Sequence, residues 1–194
     1  MNWIKLERIL NERGVKLFSP LELRRLLGIS PVAVTFLVHR YARQSGLIKL
    51  RKGLYCLADH PPSDLAMANR LYAPSYVSFE YALAYHRLIP EAAYTVTSAT
   101  PRPTYTVEAA GKRFEYHRIK QSAYTGYEPV RLDGDTVLLA TPEKAVVDYL
   151  YFVSLNKKNL NDRLRAGKLV QGKVEAYAEL FGRPSLLRLV RRLR

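Results

Sequence analysis

Two periods of apolar residues alternate along this chain, and their order predicts most of its elements. The first stretch is helical in its spacing. Ser19-Pro20-Leu21-Glu22 opens it: serine can cap a helix, proline suits the first helical position, and glutamate can reach back to complete a capping box. Leu23, Leu26 and Leu27 follow, and Gly28 stops the helix. Ser30-Pro31 repeats the start signal. The second helix is expected to run to about Arg43, with Val34, Leu37, Val38 and Tyr41 as its buried stripe and Gly46 at its end. Leu47 to Leu57 then gives two short apolar runs around a basic turn with glycine, which predicts a hairpin. With a helix from Trp3 to Arg13 completing the core, residues 1–58 read as a winged helix-turn-helix.

Two prolines in Asp59-His60-Pro61-Pro62-Ser63-Asp64 suit a short stiff linker, and residues 64–194 form the second predicted domain. Ser63 or Asp64 can cap a helix from Leu65 to Leu71. Tyr76-Val77 is a brief extended piece, and Ser78 is expected to cap a helix ending near Ile89-Pro90. The period then changes. Tyr94 to Ser98, Pro103 to Val107 and Phe114 to Ile119 predict strands, as do Glu128 to Leu132 and Thr136 to Leu139 around Asp133-Gly134-Asp135. Thr141-Pro142-Glu143 restarts helix, with Ala145, Val146, Leu150 and Tyr151 on an apolar face. Helices are expected at Asn161 to Leu169, Lys173 to Phe181 and Pro184 to Arg194. The fold class is therefore α+β, a winged helix-turn-helix followed by a mixed α/β domain with a small sheet and a helical C-terminus.

Charge adds what periodicity does not carry. The chain has 31 Lys and Arg against 17 Asp and Glu, a net charge of +14. The excess sits at the two ends: residues 1–60 hold 11 basic and 4 acidic side chains, and residues 156–194 hold 11 and 3. The 9 basic and 10 acidic residues between them nearly cancel. Clustered cations bind polyanions by releasing condensed counterions, so the basic helix-turn-helix points to nucleic acid. No apolar run approaches the roughly 18 residues of a membrane span, and no secretory signal precedes Trp3, so a cytoplasmic location is expected. A single cysteine, Cys56, excludes an internal disulfide framework. His39, His60, His86 and His117 lack paired ligand spacing, so no metal and no cofactor are expected.

On this reading the start of the second helix enters a major groove. Ser30 and Thr35 can hydrogen-bond, while Val32 or Phe36 can touch a thymine methyl or pack in the core. His39, Arg40 and Arg43 lie further along, the arginines towards phosphates. Lys49, Arg51 and Lys52 on the wing would grip the backbone or enter the minor groove. At the other end, Arg183, Arg188, Arg191, Arg192 and Arg194 form either a second nucleic-acid surface or the solvated face of a helix whose leucines pack inward.

Three motifs in order carry a family resemblance. Tyr76-Val77-Ser78-Phe79-Glu80-Tyr81-Ala82-Leu83-Ala84-Tyr85-His86-Arg87-Leu88-Ile89-Pro90-Glu91 resembles a motif of the AbiEi-type antitoxins, regulators of viral-defence operons. Thr141-Pro142-Glu143-Lys144-Ala145-Val146-Val147-Asp148-Tyr149-Leu150-Tyr151 resembles their second hallmark. Arg51-Lys52-Gly53-Leu54-Tyr55 resembles the usual close of their N-terminal domain, although Phe36 to Gly46 is longer than the commonest form. The resemblance implies a type IV toxin-antitoxin operon. The chain would bind double-stranded DNA at its own promoter and counteract a nucleotidyltransferase-like toxin without a tight complex.

Glu80, Glu143 and Asp148 are the acids of these motifs, and each has a simple structural role available. With no glycine-rich phosphate loop and no nucleophile-and-base signature, the chain is not expected to be an enzyme. Two rival readings remain: an interaction module whose winged helix docks a protein, and a general RNA-binding protein.

Overall fold

Asn2, Ser19 and Ser30 each accept a backbone N–H from the residue three positions on, and three helices begin there. They are α1 (Trp3–Glu12), α2 (Pro20–Leu27) and α3 (Pro31–Arg43) in the computed structural model, which describes residues 2–193. Glu22 returns a 2.7 Å acceptor to the Ser19 N–H, so the expected capping box is complete. Gly28 closes α2 in the left-handed conformation, with φ of 64°. α3 ends at Arg43 as expected, but its stop is not Gly46: Gln44 is the cap and Ser45 takes the left-handed turn. Gly46 answers a different need, since a Cβ there would lie 2.8 Å from the Trp3 ring.

Three strands close this unit: β1 (Leu17–Phe18), β2 (Leu47–Arg51) and β3 (Leu54–Leu57), in the order β1-β3-β2. The pair β2–β3 is the expected hairpin; β1, only two residues long, gave no periodic signal. Leu6, Leu10, Phe18, Leu23, Val34, Leu37, Val38 and Tyr41 share one apolar cluster with Leu47, Tyr55 and Leu57. Leu50, Leu54 and Cys56 belong instead to the cluster that fills the rest of the molecule. Burial pushes the Cys56 thiol up to about 11.

The remaining chain builds a six-stranded sheet. Its strands are β4 (Tyr76–Val77), β5 (Val96–Thr100), β6 (Tyr105–Ala109), β7 (Lys112–Arg118), β8 (Tyr127–Leu132) and β9 (Asp135–Ala140). The order is β6-β7-β5-β4-β9-β8, antiparallel except that β4 runs parallel to β9 and β5 to β7. Asp133 and Gly134 both take positive φ between β8 and β9, the turn chemistry that Asp-Gly favours. Helices cover both faces. On one, the Tyr116 hydroxyl donates to the Ala68 carbonyl of α4 (Asp64–Leu71); on the other, the Tyr76 hydroxyl donates to Asp148 of α6 (Pro142–Ser154). α5 (Phe79–Tyr85), α7 (Gln171–Glu179) and α8 (Pro184–Arg192) pack around α6. The whole is a mixed α and β structure with eight α-helices and two sheets among the described residues.

Three local expectations fail for physical reasons. Ser78 precedes α5 but caps nothing, because its hydroxyl donates to Asp148 at 2.8 Å. α5 ends at Tyr85, well before Ile89-Pro90, where Arg87 turns left-handed and the Leu88 N–H bonds back to Leu83. Asn161 to Leu169 is a chain of turns. There the Asn161 side chain accepts from the Arg163 N–H, and the Arg165 N–H goes to the Leu88 carbonyl. Both compete with helical bonds.

Candidate nucleic-acid interface

One side of α3 is spent on the core: Val34, Leu37, Val38 and Tyr41 are buried. With 3.6 residues per turn, Val32, Thr35, Phe36, His39 and Arg43 fall on the opposite side, with Arg40 at its margin. All six are exposed, Val32 at 64% and Phe36 at 69%. Phe36 therefore does not pack into the core. Thr35, Phe36, His39, Arg40, Arg43 and Gln44 line one open groove along this face.

The polar chemistry of the face is uneven. Ser30 uses its oxygen as the helix cap, and the Thr35 hydroxyl donates to the Pro31 carbonyl at 2.9 Å. Among the described residues, Arg40 and Arg43 form no ion pair or side-chain hydrogen bond. Between Glu22 and Asp59 the sequence has seven Lys and Arg and no acid. Lys49 and Lys52 are exposed on the hairpin. Arg51 behaves differently: its guanidinium folds back onto the carbonyls of Lys52 and Arg70, at 3.1 and 3.4 Å. It holds the hairpin to the end of α4 and is the least free of the three hairpin cations.

Two further ties fix how this face is carried. Arg70 binds both carboxylate oxygens of Glu22, at 2.6 and 2.8 Å, and Lys16 donates to the Asp133 carbonyl at 2.7 Å. Burial opposes ionisation of Glu22, but Arg70 and the Ser19 N–H outweigh it, and the carboxyl is held below its ordinary range.

The C-terminal arginines do not form one free patch. Arg183 donates to the Ser154 carbonyl at 2.8 Å, and Arg191 lies 3.6 Å from Glu175. Arg188 and Arg192 are exposed, while Leu186 and Val190 are buried on the inner side of α8. Arg194 lies outside the described residues.

The motif acids occupy two different settings. Asp148 is fully buried, accepting from Tyr76, Ser78 and Lys144, which is also fully buried. The Lys144 ammonium sits 4.8 Å from the Phe181 ring centre; burial lowers its pKa and Asp148 opposes the drop. Sequence reasoning missed this ion pair, whose only trace is the four-residue spacing of Lys144 and Asp148. Glu80 lies in a cleft of about 470 Å³ with Glu91, Tyr149 and Asn161, but Lys158 pairs with Glu80 and Arg163 with Glu91. Glu143 accepts from the Val170 N–H at 3.3 Å.

Among the described residues no three His, Cys, Asp or Glu side chains gather where they could hold a metal, and no helix is long and apolar enough to cross a membrane. No family model matches the chain, and no curated protein matches it either.

Proposed function

We propose that the N-terminal unit is a winged helix that binds double-stranded DNA, with α3 in the major groove and the β2–β3 hairpin as the wing. The carrying observation is the outer face of α3: exposed, without an acid, and bearing Arg40 and Arg43, which form no ion pair among the described residues. Its basic end suits phosphates, and its start is the part that a recognition helix offers to base edges. The resemblance to AbiEi-type antitoxins extends this reading. The chain would bind its own operon promoter as a repressor and act as the non-enzymatic antitoxin of a nucleotidyltransferase-like toxin. In the cytoplasm, its second domain would oppose that toxin without a tight complex. The exposed Val32 and Phe36 also favour the rival reading, a face that docks a protein.

Fluorescence anisotropy of the full chain, against its own upstream DNA and a scrambled duplex over a salt series, decides between them. A regulator prefers its own site by ~10³-fold or more at physiological salt. In the Arg51→Ala, Lys52→Ala double variant, affinity falls for all sequences and the salt slope flattens, mostly through Lys52 because Arg51 is already engaged. Equal binding of both duplexes would overturn the regulator reading, and an unchanged slope would remove the wing from it.

A further inference from the structure

The first two turns of α3 carry no side chain able to read a base edge by paired hydrogen bonds. From Ser30 to Phe36 the residues are Ser, Pro, Val, Ala, Val, Thr and Phe. Bidentate base recognition is the work of Arg, Lys, Asn and Gln, with Asp and Glu accepting from cytosine, and none of these occurs here. Each of the two hydroxyls already makes one bond inside the helix, Ser30 accepting the Ala33 N–H and Thr35 donating its proton to the Pro31 carbonyl, which leaves them single contacts at most. What this end of the helix offers is hydrocarbon. Val32, 64% exposed, and Phe36, 69% exposed, lie one turn apart on the outer face, with Thr35 beside them.

One group in the major groove is apolar, the C5-methyl of thymine, and it also distinguishes A·T from T·A. We propose that Val32 and Phe36 form a thymine-methyl clamp, so that the operator half-site carries one or two thymines at fixed positions under the start of α3. His39, Arg40 and Arg43, roughly 4–17 Å further along a helix that rises 1.5 Å per residue, sit over the neighbouring phosphates. The positive charge of that second half, where Arg40 and Arg43 form no ion pair among the described residues, is what favours DNA over an apolar protein groove as the occupant of the first. Sequence discrimination then comes from buried methyl groups and duplex shape, with little polar readout from this end.

This inference rests on the proposed DNA-binding function, and its test separates the two. A random duplex library is selected with the full chain, and the best duplex is resynthesised with each thymine replaced in turn by deoxyuridine, which removes only the methyl. The clamp predicts that one or two replacements weaken binding about three- to fivefold each, the effect of losing a buried methyl. It also predicts that the same replacements change nothing in Phe36→Ala or Val32→Ala, whose exposed positions leave the fold intact by circular dichroism. Selection of a defined site with no response to deoxyuridine overturns the clamp and leaves DNA recognition standing. Selection of no sequence at all overturns both.

Discussion

α3 and α6 are both 13 residues long, and both open with a hydroxyl cap followed by proline, Ser30-Pro31 and Thr141-Pro142. Their fates diverge completely. α3 buries one stripe and leaves Phe36, Arg40 and Arg43 to solvent. α6 buries a charge pair, Lys144 and Asp148, and is covered on nearly every side. The shared grammar starts a helix and says nothing about what will cover it. α6 lies between the sheet, α5 and the α7–α8 pair, so even its charges must find partners inside. α3 meets the body of its own unit on one side only, so its charges stay free to meet something else.

The sharpest break in this comparison comes from the buried pair. Lys144→Met leaves Asp148 charged and buried, with only Tyr76 and Ser78 donating to it, and should cost about 3–5 kcal/mol in chemical denaturation. Lys144→Met combined with Asp148→Leu should recover part of that loss, since no charge remains, although two hydroxyls lose their acceptor. A double variant as unstable as the single one would mean that packing, not charge, dominates there.

A smaller effect belongs to His117, which packs against Phe79 and against Phe152 of α6. Burial lowers its pKa below 6.5, Lys158 adds to the drop, and Glu115 and Glu80 oppose it. As pH falls past about 6.5 the unfolded chain takes up a proton that the folded one refuses, so stability declines on the acid side. Midpoint denaturant concentration, followed from pH 7.5 to 5.5, should fall less steeply for His117→Phe than for the parent protein. Equal slopes would place the acid sensitivity elsewhere.

The smallest change in stability is expected on α3. Arg40→Ala with Arg43→Ala should leave the unfolding free energy within about 0.5 kcal/mol. Under the proposed function the same variant lowers the salt slope of DNA binding by about two phosphate contacts. A large loss of stability with an unchanged slope would turn these arginines into structural residues.

What the sequence made legible follows from the same contrast. α2 and α3 stand in half-exposed settings, where period and cap agree, with a glycine stop as well in α2, and their ends fall within a residue or two of expectation. The β8–β9 hairpin was readable from Asp133-Gly134-Asp135 for a similar local reason. Tertiary demands hid the rest. Ser78 looks like a cap until Asp148 claims its hydroxyl. Asn161 to Leu169 has helical composition, but its backbone is tied to Tyr149 and Leu88. In the candidate site, the outward residues of α3 were set by their spacing from the buried stripe, whereas the retreat of Arg51 depends on Arg70, nineteen residues away.

The hairpin of β2 and β3 has one further consequence. Tyr55 and Leu57 complete the core beneath α3, while Leu50, Leu54 and Cys56 complete the core beneath the sheet. It is a party wall, plastered on both sides. Cutting the chain at the prolines that follow would not yield two finished pieces: the front fragment would carry a raw oily face, and the rear one an open socket of the same shape. Anything that pulls on the hairpin therefore pulls on both halves of the molecule at once.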